Sequence, residues 1–328
     1  MKYKKVTGIK EELSALGYGC WGISGPSFWN GTTDQTSIQT IQRAIDAGIN
    51  LFDVAPVYGF GHAETTLGKA IKGLRDKILI ASKCGLVWDE QNRITRCLKP
   101  ESIRKEIVES LRRLDTDYID LYQLHWPDPN VGIEETMKVM LDLKKEGKIR
   151  YIGLSNFSAD EARNAMKTAE INSMQCLYNM LERNPTSYHN IPLEYRTERE
   201  ILPFALENGL AFLPYSPLFQ GLLTGKFRPE NNFSQNDVRS ENPKLSTQEF
   251  RKYYAVVTQL NSLARETGRP LSQIAINWLV KKKAVTSIIA GAQNIEQLQE
   301  NLGSFDWEMN DDLYARIEKI IGESGIEL

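Results

Sequence analysis

The chain has 328 residues, of which 41% are hydrophobic and 25% are charged, and its formal net charge at pH 7 is −2. This is the composition of an ordinary globular protein, and it contains neither a Lys/Arg-rich block nor an apolar stretch of about 20 residues. We therefore expect no nucleic-acid partner and no insertion into a membrane. The basic N-terminus lacks the apolar core of a signal peptide, so a cytoplasmic protein is expected.

The cysteine and histidine content argues against a metal centre. The chain has four cysteines, Cys20, Cys84, Cys97 and Cys176, with no Cys-x-x-Cys pair, and only three histidines. A zinc site and a disulfide framework are therefore not expected. The cysteines are interpreted as free thiols that serve as small apolar residues.

Short apolar runs alternate with amphipathic stretches along the chain. Strands are predicted at 15–19, 51–54, 77–82, 118–124, 149–154, 174–178, 210–215 and 286–290. Helices are predicted at 34–47, 64–72, 101–114, 133–146, 159–169, 247–267, 271–283, 295–302 and 311–321, and another ends near Gly209. Eight such strand and helix units, with no linker between halves, predict a single-domain (β/α)₈ TIM barrel over residues 1–328.

A doubly wound open sheet is the alternative fold. Against it, no Gly-x-Gly-x-x-Gly fingerprint follows the first predicted strand: Gly17, Gly19 and Gly22 have that spacing, but Gly17 and Gly19 lie within the strand itself.

Polar residues follow several of the predicted strands, where a barrel carries its active site on the C-terminal face. Asp53 and Tyr58 follow the second strand, Lys83 the third and His125 the fourth. We expect these four side chains to converge. Lys83 can neutralise a buried Asp53, and its charge is expected to lower the pKa of Tyr58, which makes the phenol a proton donor to a developing alkoxide. His125 would orient the substrate oxygen or the phenol.

Each of these residues also has an ordinary structural interpretation when it is considered alone. Asp53 could form a turn or cap a helix, and Tyr58 could be one of several tyrosines on the rim. Lys83 could be a solvated strand end, and His125 could simply pack beside Trp126. The prediction of an active site depends on the combination.

Five segments, in order along the chain, resemble the signature segments of the aldo-keto reductase superfamily. They are Asp53-Val54-Ala55-Pro56-Val57-Tyr58-Gly59, Lys83, Leu124-His125-Trp126-Pro127, Gly153-Leu154-Ser155-Asn156-Phe157 and Tyr215-Ser216-Pro217-Leu218. The resemblance extends from about Leu16 to Asn301. It implies a (β/α)₈ barrel that binds a nicotinamide cofactor without a Rossmann fold, and a catalytic tetrad of Asp53, Tyr58, Lys83 and His125. Tyr58 would be the general acid in carbonyl reduction and the base in the reverse direction.

The same resemblance implies a set of cofactor contacts. Ser155, Asn156 and Gln175 match the groups that bind the nicotinamide carboxamide, and Tyr215 matches the ring on which nicotinamide stacks. The loop from Ser216 resembles the pyrophosphate cover, although by itself it could be an ordinary surface loop; its contacts would be Ser216, Pro217, Leu218, Gly221, Leu222, Thr224, Lys226 and Arg228. The adenosine end would be formed by Gly291, Gln293, Gln297, Glu300 and Asn301.

NADPH is the expected cofactor, with NADH as the alternative. Many relatives have Arg or Lys where Gln293 stands, but amide groups at a helix N-terminus and Lys226 can offset the lost charge. Trp21, Trp88 and Trp126 are predicted to line a pocket for small aldehydes or ketones, and Trp21 also to contact the cofactor. The segment 184–199 is open to interpretation as a lid, an oligomer contact or an insertion, with His189 as a surface histidine.

The main hypothesis is an NADPH-dependent oxidoreductase that reduces small carbonyl compounds without a metal. The alternative is a cofactor-binding regulatory subunit, since the chain also resembles the potassium-channel β subunits, whose reductase core keeps the tetrad. The segment Gly291-Ala292-Gln293-Asn294 resembles that branch, which lies near the bacterial general-stress and inositol-type reductases. Substrate identity, favoured direction and oligomeric state stay open.

Overall fold

The computed structural model describes residues 1–25, 28–29, 31–228, 233, 237–246, 248–326 and 328. Its centre is a closed barrel of eight strands, all parallel, which follow one another around the barrel in chain order. The strands are β1 (Leu16–Gly19), β2 (Leu51–Asp53), β3 (Leu79–Cys84), β4 (Ile119–Leu124), β5 (Ile149–Ser155), β6 (Ser173–Leu177), β7 (Ala211–Tyr215) and β8 (Ile288–Gly291). The predicted (β/α)₈ barrel is confirmed, and the strand ends lie within two residues of the predicted ones.

Helices surround the barrel. In the described part of the chain, the α-helices of six or more residues are α1 (Asp34–Asp46), α2 (His62–Ala70), α3 (Pro100–Leu114), α4 (Ile133–Lys145), α5 (Ala159–Met166), α6 (Leu202–Glu207), α7 (Gln248–Thr267), α8 (Leu271–Val280), α9 (Ile295–Leu302) and α10 (Asp311–Gly322). Thr247, the first residue of one predicted helix, lies outside the described residues. No helix within the ranges given above is long and apolar enough to cross a membrane.

Side chains alternate along each strand between the barrel interior and the surrounding helices. On β3, Leu79 and Ala81 belong to the apolar cluster inside the barrel, whereas Ile80 belongs to the larger cluster beneath the helices. Continuing the alternation, the next interior position on β3 is Lys83. The corresponding interior position on β2, after Leu51, is Asp53. The interior therefore changes from apolar to polar toward the C-terminal ends of the strands.

Three hairpins of short strands that the sequence pattern did not predict complete the fold. Tyr3–Lys4 pairs with Leu13–Ser14, and Leu13 joins the apolar interior cluster. After β3, Leu86–Trp88 pairs with Ile94–Arg96. After β6, Ser187–Tyr188 pairs with Ile191–Pro192. The last two hairpins follow the C-terminal ends of β3 and β6. They therefore border the end of the barrel at which the interior side chains are polar.

Candidate active site

A buried ion pair lies at the C-terminal ends of β2 and β3. Lys83 Nζ donates to the two carboxylate oxygens of Asp53 at 2.8 and 2.9 Å and to the backbone oxygen of Val54 at 3.1 Å. Lys83 is 0% exposed and Asp53 is 3% exposed. The amides of Gln175 and Gln123 also donate to Asp53 Oδ2, at 2.7 and 3.4 Å. Because an unpaired charge is costly at this depth, each member of the pair offsets part of the desolvation cost of the other.

Tyr58 adjoins this ion pair from the loop after β2. Lys83 Nζ lies 3.2 Å from the Tyr58 hydroxyl, within hydrogen-bonding distance. The loop turns at Gly59, where φ is +65° and an added Cβ would lie 1.9 Å from the backbone oxygen of Ser24. Only glycine fits such a close approach, so the position of Tyr58 is fixed by backbone packing as well as by Lys83.

The expectation that Lys83 lowers the pKa of Tyr58 is wrong. Burial raises the pKa of the Tyr58 phenol well above its usual value of 10, and the negative charge of Asp53 raises it further. The positive charge of Lys83 does not reverse this because two carboxylate oxygens of Asp53 already neutralise it. The phenol is therefore protonated throughout the neutral pH range, which is the form a proton donor requires.

His125 faces Tyr58 from the end of β4. The two rings meet edge to face with their centroids 6.0 Å apart, and His125 is 8% exposed. Burial lowers the pKa of His125 well below 6.5, and the nearby charge of Lys83 lowers it further. The imidazole is therefore neutral at pH 7 and can donate one ring N–H. The structure thus brings the four side chains of the predicted tetrad together.

A cavity of about 740 Å³ extends from Tyr58 and His125 to the start of α9. The predicted cofactor and substrate residues that line it are Trp21, Trp126, Ser155, Asn156, Gln175, Tyr215, Ser216, Pro217, Leu218, Gly221, Thr224, Lys226, Gly291, Gln293, Gln297, Glu300 and Asn301. Three other predicted contacts do not line it. Leu222 is fully buried, Arg228 donates to the backbone oxygen of Phe227 at 2.8 Å, and Trp88 packs on the ring of Phe60.

Asn156 links the groups at the catalytic end of the cavity. Its Oδ1 accepts hydrogen bonds from the hydroxyls of Tyr195 and Tyr215, both at 2.9 Å. Its Nδ2 donates to the backbone oxygen of His125 and to Ser155 Oγ, both at 3.1 Å. Asn156 therefore holds the Tyr215 ring in place, while its own donors are used within the protein. Tyr195, which completes this network, was not among the predicted site residues.

The far end of the cavity offers polar groups from the loop after β7 and from α9. Lys226 Nζ lies 3.1 Å from Glu300 Oε2, and the other carboxylate oxygen, Oε1, accepts a hydrogen bond from Ser272. Gln297 Oε1 accepts from the backbone N–H of Gln293 at 2.9 Å. A cavity that is lined by the Tyr215 ring near Tyr58 and by the Lys226 ammonium group near α9 fits a dinucleotide. Among the described residues, no three His, Cys, Asp or Glu side chains form a group that could hold a metal ion.

The two hairpins on this face supply site residues that the sequence did not predict. Arg96 lies over the Trp126 ring, 4.8 Å from its centroid, and both line the cavity. Tyr188 and His189 line it from the opposite hairpin. The interpretation of His189 as a surface histidine is wrong, because it is half-buried and hydrogen-bonded to Gln220. The pair His189-Asn190, two residues that tolerate a left-handed conformation, was the available signal for this turn.

Comparisons with known proteins agree with this geometry. Residues 15–322 match the model of the Aldo/keto reductase family. The chain is 39% identical to the aldo-keto reductase YhdN of Bacillus subtilis, over 98% of this chain and 94% of that protein. It is 35% identical to the NADH-specific methylglyoxal reductase of Escherichia coli, over 91% of this chain and 92% of that protein.

A solved structure is similar over almost the whole length. The glycerol dehydrogenase from Gluconobacter oxydans superposes with a TM-score of 0.87 at 34% identity, covering 99% of this chain and 97% of that one. With a family match over most of the chain and an eight-stranded barrel whose rim holds Asp53, Tyr58, Lys83 and His125, this chain belongs to the aldo/keto reductase family and is a nicotinamide-dependent oxidoreductase.

Proposed function

We propose that this protein reduces small aldehydes and ketones to alcohols, with Tyr58 as the proton donor. The observation that carries the proposal is the position of the Tyr58 hydroxyl. It lies 3.2 Å from Lys83 Nζ, adjoins the neutral ring of His125 and borders the large cavity. A protonated phenol between a fixed cation and a neutral donor is suited to a carbonyl oxygen that gains negative charge as it is reduced.

Tyr58, Lys83, His125 and Asp53 each have a separate role in the reduction. When bound, the nicotinamide cofactor supplies the hydride. The Tyr58 O–H bond breaks as the O–H bond of the product alcohol forms, which leaves a phenolate that Lys83 stabilises by its hydrogen bond. His125 donates its ring N–H to the substrate oxygen and orients the carbonyl. Asp53 keeps Lys83 charged and in position, and solvent restores the proton of Tyr58 after the alcohol leaves.

The relatives favour an enzyme over the alternative of a regulatory subunit. The two curated relatives and the solved structure described above carry the names of reductases and of a dehydrogenase. The cavity also supports turnover, because its catalytic end is lined by Trp21 and Trp126 and leaves room for a small carbonyl compound beside Tyr58.

For the cofactor, we propose a modest preference for NADPH over NADH. Lys226 lines the far end of the cavity and its side chain is 66% exposed, so it can reach a 2′-phosphate. Glu300 shares that charge at 3.1 Å, and an uncharged residue, Gln293, stands at the start of α9. A dianionic phosphate favours two or more cations. A single lysine that is also paired with Glu300 therefore supports weaker discrimination between NADPH and NADH.

Replacement of the proton donor tests the reaction. We expect Tyr58→Phe to lower kcat/KM for short aldehydes by at least about 100-fold, because general acid catalysis contributes this much or more. Binding of NADPH, measured by fluorescence titration, should change little. Tyr151→Phe is the matched control, since the Tyr151 hydroxyl bonds Glu11 at the other end of the barrel and should leave activity unchanged.

The wild-type protein itself can contradict the proposal. Tight NADPH binding without turnover of any aldehyde or ketone in a broad panel would favour the regulatory subunit.

Breaking the ion pair tests the role of Lys83. Lys83→Met leaves Asp53 buried without its partner, so we expect a loss of about 3–5 kcal/mol in the free energy of unfolding, together with loss of reduction. Adding Asp53→Asn removes the unpaired charge and should recover part of the stability but none of the activity. Lys138→Met, which breaks an exposed pair with Glu134, is the control and should cost less than about 1 kcal/mol. Chemical denaturation measures the stability, and retained reduction in Lys83→Met at neutral pH would contradict the mechanism.

The cofactor preference is tested by changing either member of the pair that Lys226 forms with Glu300. We expect Lys226→Met to lower the ratio of kcat/KM for NADPH to that for NADH, because the cation near the 2′-phosphate is lost. Glu300→Gln should raise the same ratio, since Lys226 is then no longer shared. Each change should be several-fold, as for one exposed charged contact. A wild-type ratio below about 0.1, or opposite signs for the two variants, would contradict this assignment.

A further inference from the structure

The hairpin after β6 turns in a conformation that is unusual for its first turn residue. Tyr188 pairs directly with Ile191, so the turn consists of two residues, His189 and Asn190. Their φ angles are +47° and +63°, as a type I′ turn requires. Asn and Gly adopt this left-handed region readily, and His is also found there more often than most residues. The turn places His189 on the wall of the cavity.

The ring of His189 is part of the catalytic end of the cavity. It contacts Tyr188, with centroids 4.4 Å apart, and it meets the edge of Trp21 at 6.2 Å. Trp21 also lies 6.4 Å from the Tyr58 ring, again between centroids. Tyr58 and His189 therefore both neighbour one indole ring, and all three line the same cavity.

A chain of hydrogen bonds fixes which nitrogen of His189 carries the proton. Asn242 Nδ2 donates to Gln220 Oε1 at 2.8 Å, which identifies the other terminal atom of Gln220 as its NH₂ group. That group lies 2.6 Å from His189 Nε2 and must donate to it. Nε2 is therefore the acceptor, and the ring proton is on Nδ1. Burial and the charge of Lys244 lower the pKa of His189 to about 4, so the ring is neutral at pH 7.

The remaining donor of His189, Nδ1–H, has no acceptor among the residues that the structure describes. His189 also lines a smaller cavity of about 310 Å³, whose lining includes Glu182. The Glu182 carboxylate is already engaged, with Lys244 at 2.7 Å and with Asn179 Nδ2 at 2.8 Å. Because His189 also lines the catalytic end of the larger cavity, beside the aromatic rings of Trp21 and Tyr188, its unused donor is suited to an oxygen atom of a substrate bound there.

We propose that His189 determines substrate specificity by donating Nδ1–H to a second oxygen of the substrate, a hydroxyl or carbonyl within two carbons of the reduced carbonyl. The preferred substrates are then short hydroxyaldehydes, hydroxyketones and dicarbonyl compounds. Tyr58 and His125 bind the reacting oxygen, Trp21 covers the carbon chain, and His189 binds the second oxygen. This assignment rests on the proposed carbonyl reductase function.

Two aldehydes of equal chain length test the proposal. The wild-type protein should reduce glyceraldehyde with a kcat/KM about tenfold or more above that for propanal, as one additional hydrogen bond from the site implies. His189→Gly should lower this ratio about tenfold. Glycine adopts the left-handed conformation of this turn without steric cost, so the melting temperature should change little, which separates the loss of the donor from loss of the hairpin.

Two further variants complete the experiment. His189→Asn keeps an N–H donor at a similar distance from the backbone and suits the left-handed turn, so it should retain most of the ratio. Asn190→Gly changes only the turn and should leave the ratio unaltered. A wild-type protein that reduces the two aldehydes equally well, or a ratio that His189→Gly does not change, would overturn the assignment and leave the carbonyl reductase function standing. Absence of reduction of either aldehyde and of every other carbonyl compound in the broad panel would overturn both.

Discussion

The buried ion pair between Lys83 and Asp53 is the interaction on which the rest of this site depends. Two charges enter the barrel interior at the point where its filling changes from apolar to polar. Neither could stay ionised there alone, since the desolvation of a single buried charge costs several kcal/mol. The two charges compensate each other, and the side-chain amides of Gln123 and Gln175 also donate to the Asp53 carboxylate. Lys83, held in this way, lies within hydrogen-bonding distance of the Tyr58 hydroxyl.

The ion pair also influences the protonation states of Tyr58 and His125. Because Asp53 neutralises Lys83, the ammonium group does not draw the proton from Tyr58, and burial keeps the phenol protonated. The residual field of Lys83 and burial together keep His125 neutral. Two neutral donors therefore face the place where a carbonyl oxygen gains charge. The cation remains beneath them, where it stabilises the phenolate that forms only after proton transfer.

The fold and the tetrad could be predicted because each depends on a local pattern. Apolar runs bounded by Gly and Pro predict buried strands, and in a barrel the residues just after those strands meet at one rim, so Asp53, Lys83 and His125 could be placed together. The contributions of Tyr188, His189 and Arg96 could not be predicted. They come from hairpins with strands of two or three residues, too short for a periodic pattern.

The direction of the pKa shift of Tyr58 could not be predicted from the sequence either. The sequence places a lysine near the phenol, but not the carboxylate that neutralises it nor the degree of burial, and these two decide the sign. Likewise, Gln220 and His189 are 31 residues apart, and only the folded chain brings them within hydrogen-bonding distance.

The pH dependence of both reaction directions shows whether the ion pair leaves Tyr58 as a protonated donor. A phenol whose pKa is raised stays protonated between pH 6 and 8. We therefore predict that kcat/KM for aldehyde reduction is level across this range, within about twofold, whereas kcat/KM for alcohol oxidation, which needs the phenolate, rises with pH. A reduction rate that falls about tenfold per pH unit above pH 7 would contradict the account, because it would mean that the phenol loses its proton near neutrality.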